Sequence, residues 1–153
     1  MIRSGASSAI GIDLSPTMVR LAQSLSAEGG LSGRASFELG DGATAKLKKS
    51  DVVVLDAVLC CYPDFTSFVD NSASAAGRYY VFAVPDDARL LTRFMRLILP
   101  LQAVVFRRGS FRFFIHPTAR IRSRLEGKGF RLVSKSSAGW IWSVFVFGAT
   151  GAA

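Results

Sequence analysis

The chain has 153 residues, half of them hydrophobic and 20% charged, which suits one globular domain with a substantial core and excludes a disordered chain. Its net charge of +8 is lopsided: residues 86–135 hold 12 Arg and Lys against Asp86, Asp87 and Glu126, a surplus of +9, while the remainder stands at −1. Two adjacent cysteines, Cys60 and Cys61, and a single histidine, His116, exclude a disulfide framework and are too few soft ligands for zinc, so no metal is expected.

Met1 to Leu14 carries an early Arg3, but its apolar stretch is short and is broken by Gly11 and Asp13, a poor match to a signal peptide. Ala9 to Asp13 reads as a strand that runs into a carboxylate, the way a doubly wound sheet presents an acid to a nucleotide ribose. Ser15 and Pro16 form an N-cap and first-turn pair, and Met18, Leu21, Ala22 and Leu25 fall at the spacing of one buried helical stripe. Gly29-Gly30 stops that helix.

Arg34 to Leu39 is a second strand ended by Gly40-Asp41-Gly42. Val52 to Leu55 is a branched run of the kind buried on both faces of a parallel sheet, which predicts a central strand. Asp64 to Ala76 reads as an amphipathic helix, Tyr79 to Val84 as a strand stopped by Pro85, and Arg89 to Leu99 as a helix closed by Pro100. Alternation of strand and helix over this length argues for an α/β fold with a mostly parallel sheet. The apolar region Phe94 to Phe106 is interrupted by Arg96 and Pro100 and falls short of the roughly 20 residues a spanning helix needs, so no transmembrane segment is expected. Together with the free cysteines this points to a reducing cytoplasm.

Phe106, Phe111, Phe113, Phe114 and Ile115 crowd an arginine-rich stretch that suits a lid or a substrate-facing insertion. Pro117 opens a helix through Ile121 and Leu125 to Gly127, and Phe130 to Val133 with Trp140 to Phe147 form a closing pair of strands, read as an antiparallel edge.

Four stretches carry a family resemblance: Gly-Ile-Asp-Leu-Ser-Pro-Thr-Met-Val (11–19), Glu-Leu-Gly-Asp-Gly (38–42), Val-Val-Val-Leu-Asp-Ala-Val-Leu-Cys-Cys-Tyr-Pro-Asp (52–64) and Leu-Glu-Gly-Lys-Gly-Phe (125–130). In order and spacing the chain resembles class I S-adenosylmethionine-dependent methyltransferases. Its tail is similar to the small-molecule members that include magnesium-protoporphyrin methyltransferases. The resemblance implies a Rossmann-like sheet with an antiparallel C-terminal strand, S-adenosyl-L-methionine as cofactor and a small-molecule acceptor. By that resemblance Asp13 takes the ribose hydroxyls, with Leu14 and Met18 beside it, and Asp41 accepts from the adenine amino group where Gly42 allows close approach. Asp56 and Ala57 end the strand that faces the methionine part. Cys60, Cys61 and Tyr62 follow that strand and line the acceptor pocket in this reading.

Each assignment has a plainer alternative. Asp13 is also placed to cap a local turn, Asp41 to make an ordinary Gly-Asp-Gly turn, Asp56 to cap a helix, and the cysteines to serve as small buried hydrophobes. His116, the one imidazole, is the cheapest proton acceptor near neutral pH, and before Pro117 it is equally a helix-start residue. Arg93, Arg120, Arg122 and Arg124 read first as solvated helix faces.

The family's first strand, Gly-x-Gly loop and most of its first helix have no counterpart, and Met1 to Ser8 resembles only that helix's end. The chain therefore reads as a single, N-terminally truncated methyltransferase domain over 1–153, inactive alone if the lost loop is essential to cofactor binding. The missing strand belongs between the strand of Ile10 to Ile12 and that of Val52 to Leu55, so its loss leaves backbone groups unpaired. The runner-up is a non-enzymatic remnant whose basic second half binds nucleic acid or an anionic surface, peripheral membrane included, although nucleic acid is not the expected partner. A nicotinamide-dependent dehydrogenase ranks third, because Asp41 and the Leu-Glu-Gly-Lys-Gly-Phe tail fit it less well.

Overall fold

The computed structural model describes residues 1–98 and 113–151. They form two compact units, Met1–Lys46 and Leu47–Ala153, and two sheets.

The first unit is a strand-helix-strand element. β1 (Ala9–Asp13) leads into α1 (Pro16–Glu28) and then β2 (Ala35–Leu39), and the two strands run parallel with Ala9 opposite Ala35 and Asp13 opposite Leu39. The helix starts where the capping chemistry places it: the Ser15 hydroxyl accepts the Met18 amide at 3.3 Å and Pro16 occupies the first turn. It stops at Gly29, and Gly30 turns the chain at φ +67°. Gly11 is required for a different reason. A Cβ there would lie 2.6 Å from the Phe37 ring, so only glycine lets β1 lie beside this side chain of β2.

The expected buried stripe of α1 is not buried. Met18, Leu21 and Leu25 are 50%, 49% and 56% exposed, Ala22 is intermediate, and the buried positions are Val19 and Ser26. Spacing correctly gives a helix, but a two-stranded ribbon is roughly as wide as one helix and covers only the line of residues directly above it.

The second unit holds a four-stranded sheet in the order β3-β4-β6-β5. β3 (Ser50–Asp56) and β4 (Ala76–Pro85) are parallel, while β6 (Trp142–Ala149) runs antiparallel to both β4 and β5 (Phe130–Ala138). The antiparallel edge is as expected, and β5 runs five residues beyond Val133. The helices are α2 (Phe65–Ala75), α3 (Leu90–Ile98) and α4 (Thr118–Glu126). Asp64 starts α2 by accepting the Thr66 and Ser67 amides at 3.1 and 3.3 Å.

Register explains the core. Tyr80, Phe82 and Val84 pair with Phe147, Phe145 and Ser143, so one sheet face carries four large rings. Phe82 stacks on Phe145 at 4.9 Å and on Phe147 at 5.9 Å. Phe68, Val69 and Ala73 of α2 and Ile121 and Leu125 of α4 are buried with them, and the Ser72 hydroxyl meets the Tyr80 hydroxyl at 2.8 Å, fixing α2 on that face.

Val52 to Leu55 departs from expectation. Among the described residues β3 hydrogen-bonds only to β4, so it is an edge strand; Leu55 is buried but Val54 is 43% exposed. A branched run reports two apolar faces, and it does not report how many neighbours a strand has. The end of α3 at Leu99-Pro100, and Phe106 and Phe111 of the expected lid, lie outside the described residues. Among the described residues no helix is long and apolar enough to cross a membrane.

Candidate functional site

Parallel pairing of β1 and β2 brings their carboxyl ends to the same edge, where the Gly40 amide donates to the Asp13 carbonyl at 3.0 Å. Asp13 is exposed, and its Oδ1 accepts the Ser15 amide at 2.8 Å. The local cap is therefore real, and it occupies one oxygen only. Among the described residues no protein donor reaches Oδ2, which leaves it a spare acceptor. Leu14 and Met18, the next candidates along, are 61% and 50% exposed, and Leu39 at the end of β2 is 59% exposed. Asp41 folds the following turn: its Oδ1 accepts the Ala43 amide at 2.9 Å and its carbonyl accepts the Thr44 and Ala45 amides. Gly42 lies within that turn. The edge thus sets a carboxylate with a spare acceptor among exposed apolar side chains, an arrangement that fits a diol joined to a flat apolar ring.

In the second unit the carboxyl end of β3 carries the remaining candidates. Asp56 is exposed at the strand's last position. Ala57 follows with φ +54°, the one non-glycine residue in the left-handed region among the described residues. A short 3-10 turn, Leu59–Cys61, comes next, and both thiols point back at the Ala57 carbonyl, Cys60 Sγ at 3.2 Å and Cys61 Sγ at 3.6 Å. Cys60 is buried and Cys61 exposed. Burial and the neighbouring Cys61 push the Cys60 thiol up to about 12.

The structure brings His116 to this turn. Its Nε2 lies 2.9 Å from the Tyr62 carbonyl, and because a carbonyl only accepts, Nε2 carries the hydrogen and Nδ1 is the nitrogen left to accept a proton. The ring stacks on Phe114 at 5.8 Å and packs against Phe65 at 4.8 Å, while the Phe114 amide donates to the Cys60 carbonyl at 2.7 Å. Cys60, Cys61, Tyr62 and His116 are therefore one cluster, as Asp13 and Asp41 are another.

A set of residues at the carboxyl end of β4 escaped sequence reasoning. Asp86 is 2% exposed and accepts from Lys135 Nζ at 2.6 Å, the Ser143 hydroxyl at 3.0 Å and the Ala88 amide at 3.1 Å. Burial works to raise its carboxyl, but these donors outweigh it and hold it below the ordinary carboxylate range. Asp87 Oδ1 accepts the Thr118 amide at 3.0 Å and so caps α4 from another element, where Pro117 offers no side-chain acceptor. Arg89 donates to the Gly139 and Trp140 carbonyls and to the Ser137 hydroxyl, clamping the β5-β6 turn. The only local signal is an Asp-Asp pair after Pro85, and its partners lie some 30 to 60 residues away.

Five of the 12 basic residues of 86–135 hold protein partners among the described residues: Arg89 as above, and four in ion pairs. Arg122 pairs with Glu126 at 2.7 Å, Arg124 and Lys128 both pair with Asp70, and Lys135 is tied to Asp86. Arg93 and Arg120 are exposed. A groove of about 290 Å³ lined by Arg78, Tyr79 and Arg131 lies at the amino end of β4, the opposite end of the strand from Asp86. Among the described residues no group of three or more His, Cys, Asp or Glu could hold a metal ion.

No protein-family model and no curated protein sequence matches the chain. Solved structures do. Magnesium protoporphyrin IX methyltransferase from Synechocystis PCC 6803, with bound SAH, superposes with a TM-score of 0.75 at 24% identity, over 96% of this chain and 66% of that one. The fold is the Rossmann-like methyltransferase fold. An O-methyltransferase family protein from Burkholderia thailandensis gives 0.73 at 19% identity, over 95% of this chain and 45% of its own. The O-methyltransferase from neocarzinostatin biosynthesis, in complex with SAH and 1,4-dihydroxy-2-naphthoic acid, gives 0.68 at 19%, over 93% and 42%. The chain thus spans between 42% and 66% of the length of these proteins.

Proposed function

We propose that the chain binds S-adenosyl-L-methionine and takes part in methyl transfer to a small-molecule acceptor. The observation that carries this reading is the likeness over nearly the whole chain to methyltransferases solved with SAM or SAH, combined with an acid carrying a spare acceptor at the carboxyl edge of β1. In this reading Asp13 receives the ribose hydroxyls through Oδ2, and Leu14 and Met18 shield the sugar and base from water. The Asp41-Gly42 turn takes the adenine amino group, and Asp56 and Ala57 hold the amino-acid part. When bound, the cofactor supplies an electrophilic methyl group on a sulfonium. What the protein adds is orientation and exclusion of water, with proton removal from an acceptor assigned to His116 Nδ1. Cys60, Cys61 and Tyr62 line the acceptor side.

The alternative of a remnant that binds nucleic acid or an anionic surface draws on the same basic half. It is the weaker reading, because Arg89, Arg122, Arg124, Lys128 and Lys135 already hold protein partners.

Calorimetric titration with S-adenosylhomocysteine tests the proposal. Micromolar binding is expected, and Asp13→Ala should weaken it by about 10–100-fold, the loss of a hydrogen bond to a charged acceptor, with little change in melting. Undiminished binding by Asp13→Ala would remove the ribose assignment; absence of binding by the wild-type chain would remove the reading.

A further inference from the structure

Two thiols close over one strained peptide at the end of β3. Ala57 pays for a left-handed φ of +54°, and the carbonyl that follows from this geometry accepts both Cys60 Sγ and Cys61 Sγ. The sulfurs stand 3.8 Å apart, so a bond of about 2.05 Å needs a closing movement of under 2 Å. Adjacent residues have Cα atoms about 3.8 Å apart across a trans peptide, below the 4.4–6.8 Å of ordinary disulfides. A bond between them is strained and readily reduced, which is the property of a reversible disulfide and not of a structural one.

The two thiols also differ in the way that exchange chemistry requires. Cys61 is exposed and open to attack on a small molecule. Cys60 is buried, shielded from the small molecule but within 3.8 Å of the Cys61 sulfur, so it is the second sulfur to react.

We propose that Cys60 and Cys61 form a redox modification site, oxidised to a vicinal disulfide by low-molecular-weight disulfides. Cys61 loses its proton and its sulfur attacks the small disulfide, whose S–S bond breaks and releases one thiol. The Cys60 sulfur then attacks Cys61, the mixed S–S bond breaks, and the second thiol leaves with the Cys60 proton. The two cysteines are oxidised by two electrons, and one small disulfide becomes two thiols. Both donors to the Ala57 carbonyl are lost in the product. The turn that moves is the one whose carbonyls hold the Phe114 amide and His116 Nε2. If Ala57 contacts the cofactor, a consequence that rests on the proposed function, the oxidised form binds it about tenfold more weakly.

The test is incubation of the full chain with oxidised glutathione, followed by acid quench, alkylation and peptide mass measurement. The expected product is a peptide containing Cys60 and Cys61 that has lost two hydrogens, takes up no alkylating agent, and recovers both thiols with dithiothreitol. Cys60→Ser should stop at a glutathione adduct on Cys61, and Cys61→Ser should react far more slowly. A stable adduct on Cys61 in the wild-type chain, a Cys61-linked dimer, or no reaction would each overturn the proposal. Titration of both forms with S-adenosylhomocysteine separates the two readings: no binding by either form removes the cofactor reading and leaves the disulfide result standing, while equal binding removes the coupling alone.

Discussion

Asp86 shows how a buried carboxylate is made to favour folding. With its donors in place it titrates below its ordinary value of 3.8, so its contribution is present above that pH and is lost as the pH falls through about 4 and below. Asp70 adds to the same acid limb, since Arg124 and Lys128 hold it at about 2. Urea unfolding should therefore show a falling midpoint between about pH 5 and about pH 3, with a shallower fall in Asp86→Asn, which cannot titrate. Asp86→Ala at neutral pH should cost about 2–4 kcal/mol, because it strips partners from Ser143 and from the Ala88 amide as well as from Lys135. Tyr80→Phe is milder, at about 1 kcal/mol in the same measurement, because the Ser72 hydroxyl keeps the Phe68 carbonyl at 2.6 Å. None of these bonds was legible in the sequence. Asp13 was, because its strand and its cap lie within six residues, whereas Asp86 acquires its meaning from Lys135 and Ser143, which only folding brings near.

Local chemistry set the elements well. Ser15-Pro16, Gly29-Gly30, Asp64 and Pro117 mark ends that the helices respect, and alternating or branched runs mark every strand. What local chemistry does not carry is the neighbour. The apolar positions of α1 and the open face of β3 were both read as buried, since periodicity reports that a face is apolar and not what covers it. The exposed Leu21 and Leu25 should contribute to binding of the dye 1-anilinonaphthalene-8-sulfonate, and Leu21→Lys with Leu25→Lys should lower that fluorescence while shifting stability by no more than about 0.5 kcal/mol.

The molecule divides its stability unevenly. Four strands and two helices enclose the rings of Tyr80, Phe82, Phe145 and Phe147, while β1 and β2 have one helix between them and little buried besides Ile2 and Val19. A two-stranded sheet is marginal by itself. Hydrogen exchange should accordingly be faster at Ile10–Ile12 than at Val81–Ala83 by at least about a hundredfold, corresponding to a gap of roughly 3 kcal/mol between local and core opening. The same experiment, repeated with S-adenosylhomocysteine, is the most direct measurement of the central proposal. Binding as described predicts slowed exchange at Asp13–Leu14, at Asp41–Ala43 and at Asp56–Val58, with β5 and β6 unchanged. Unaltered exchange at all three stretches, or protection confined to the basic surface of α4, would contradict it.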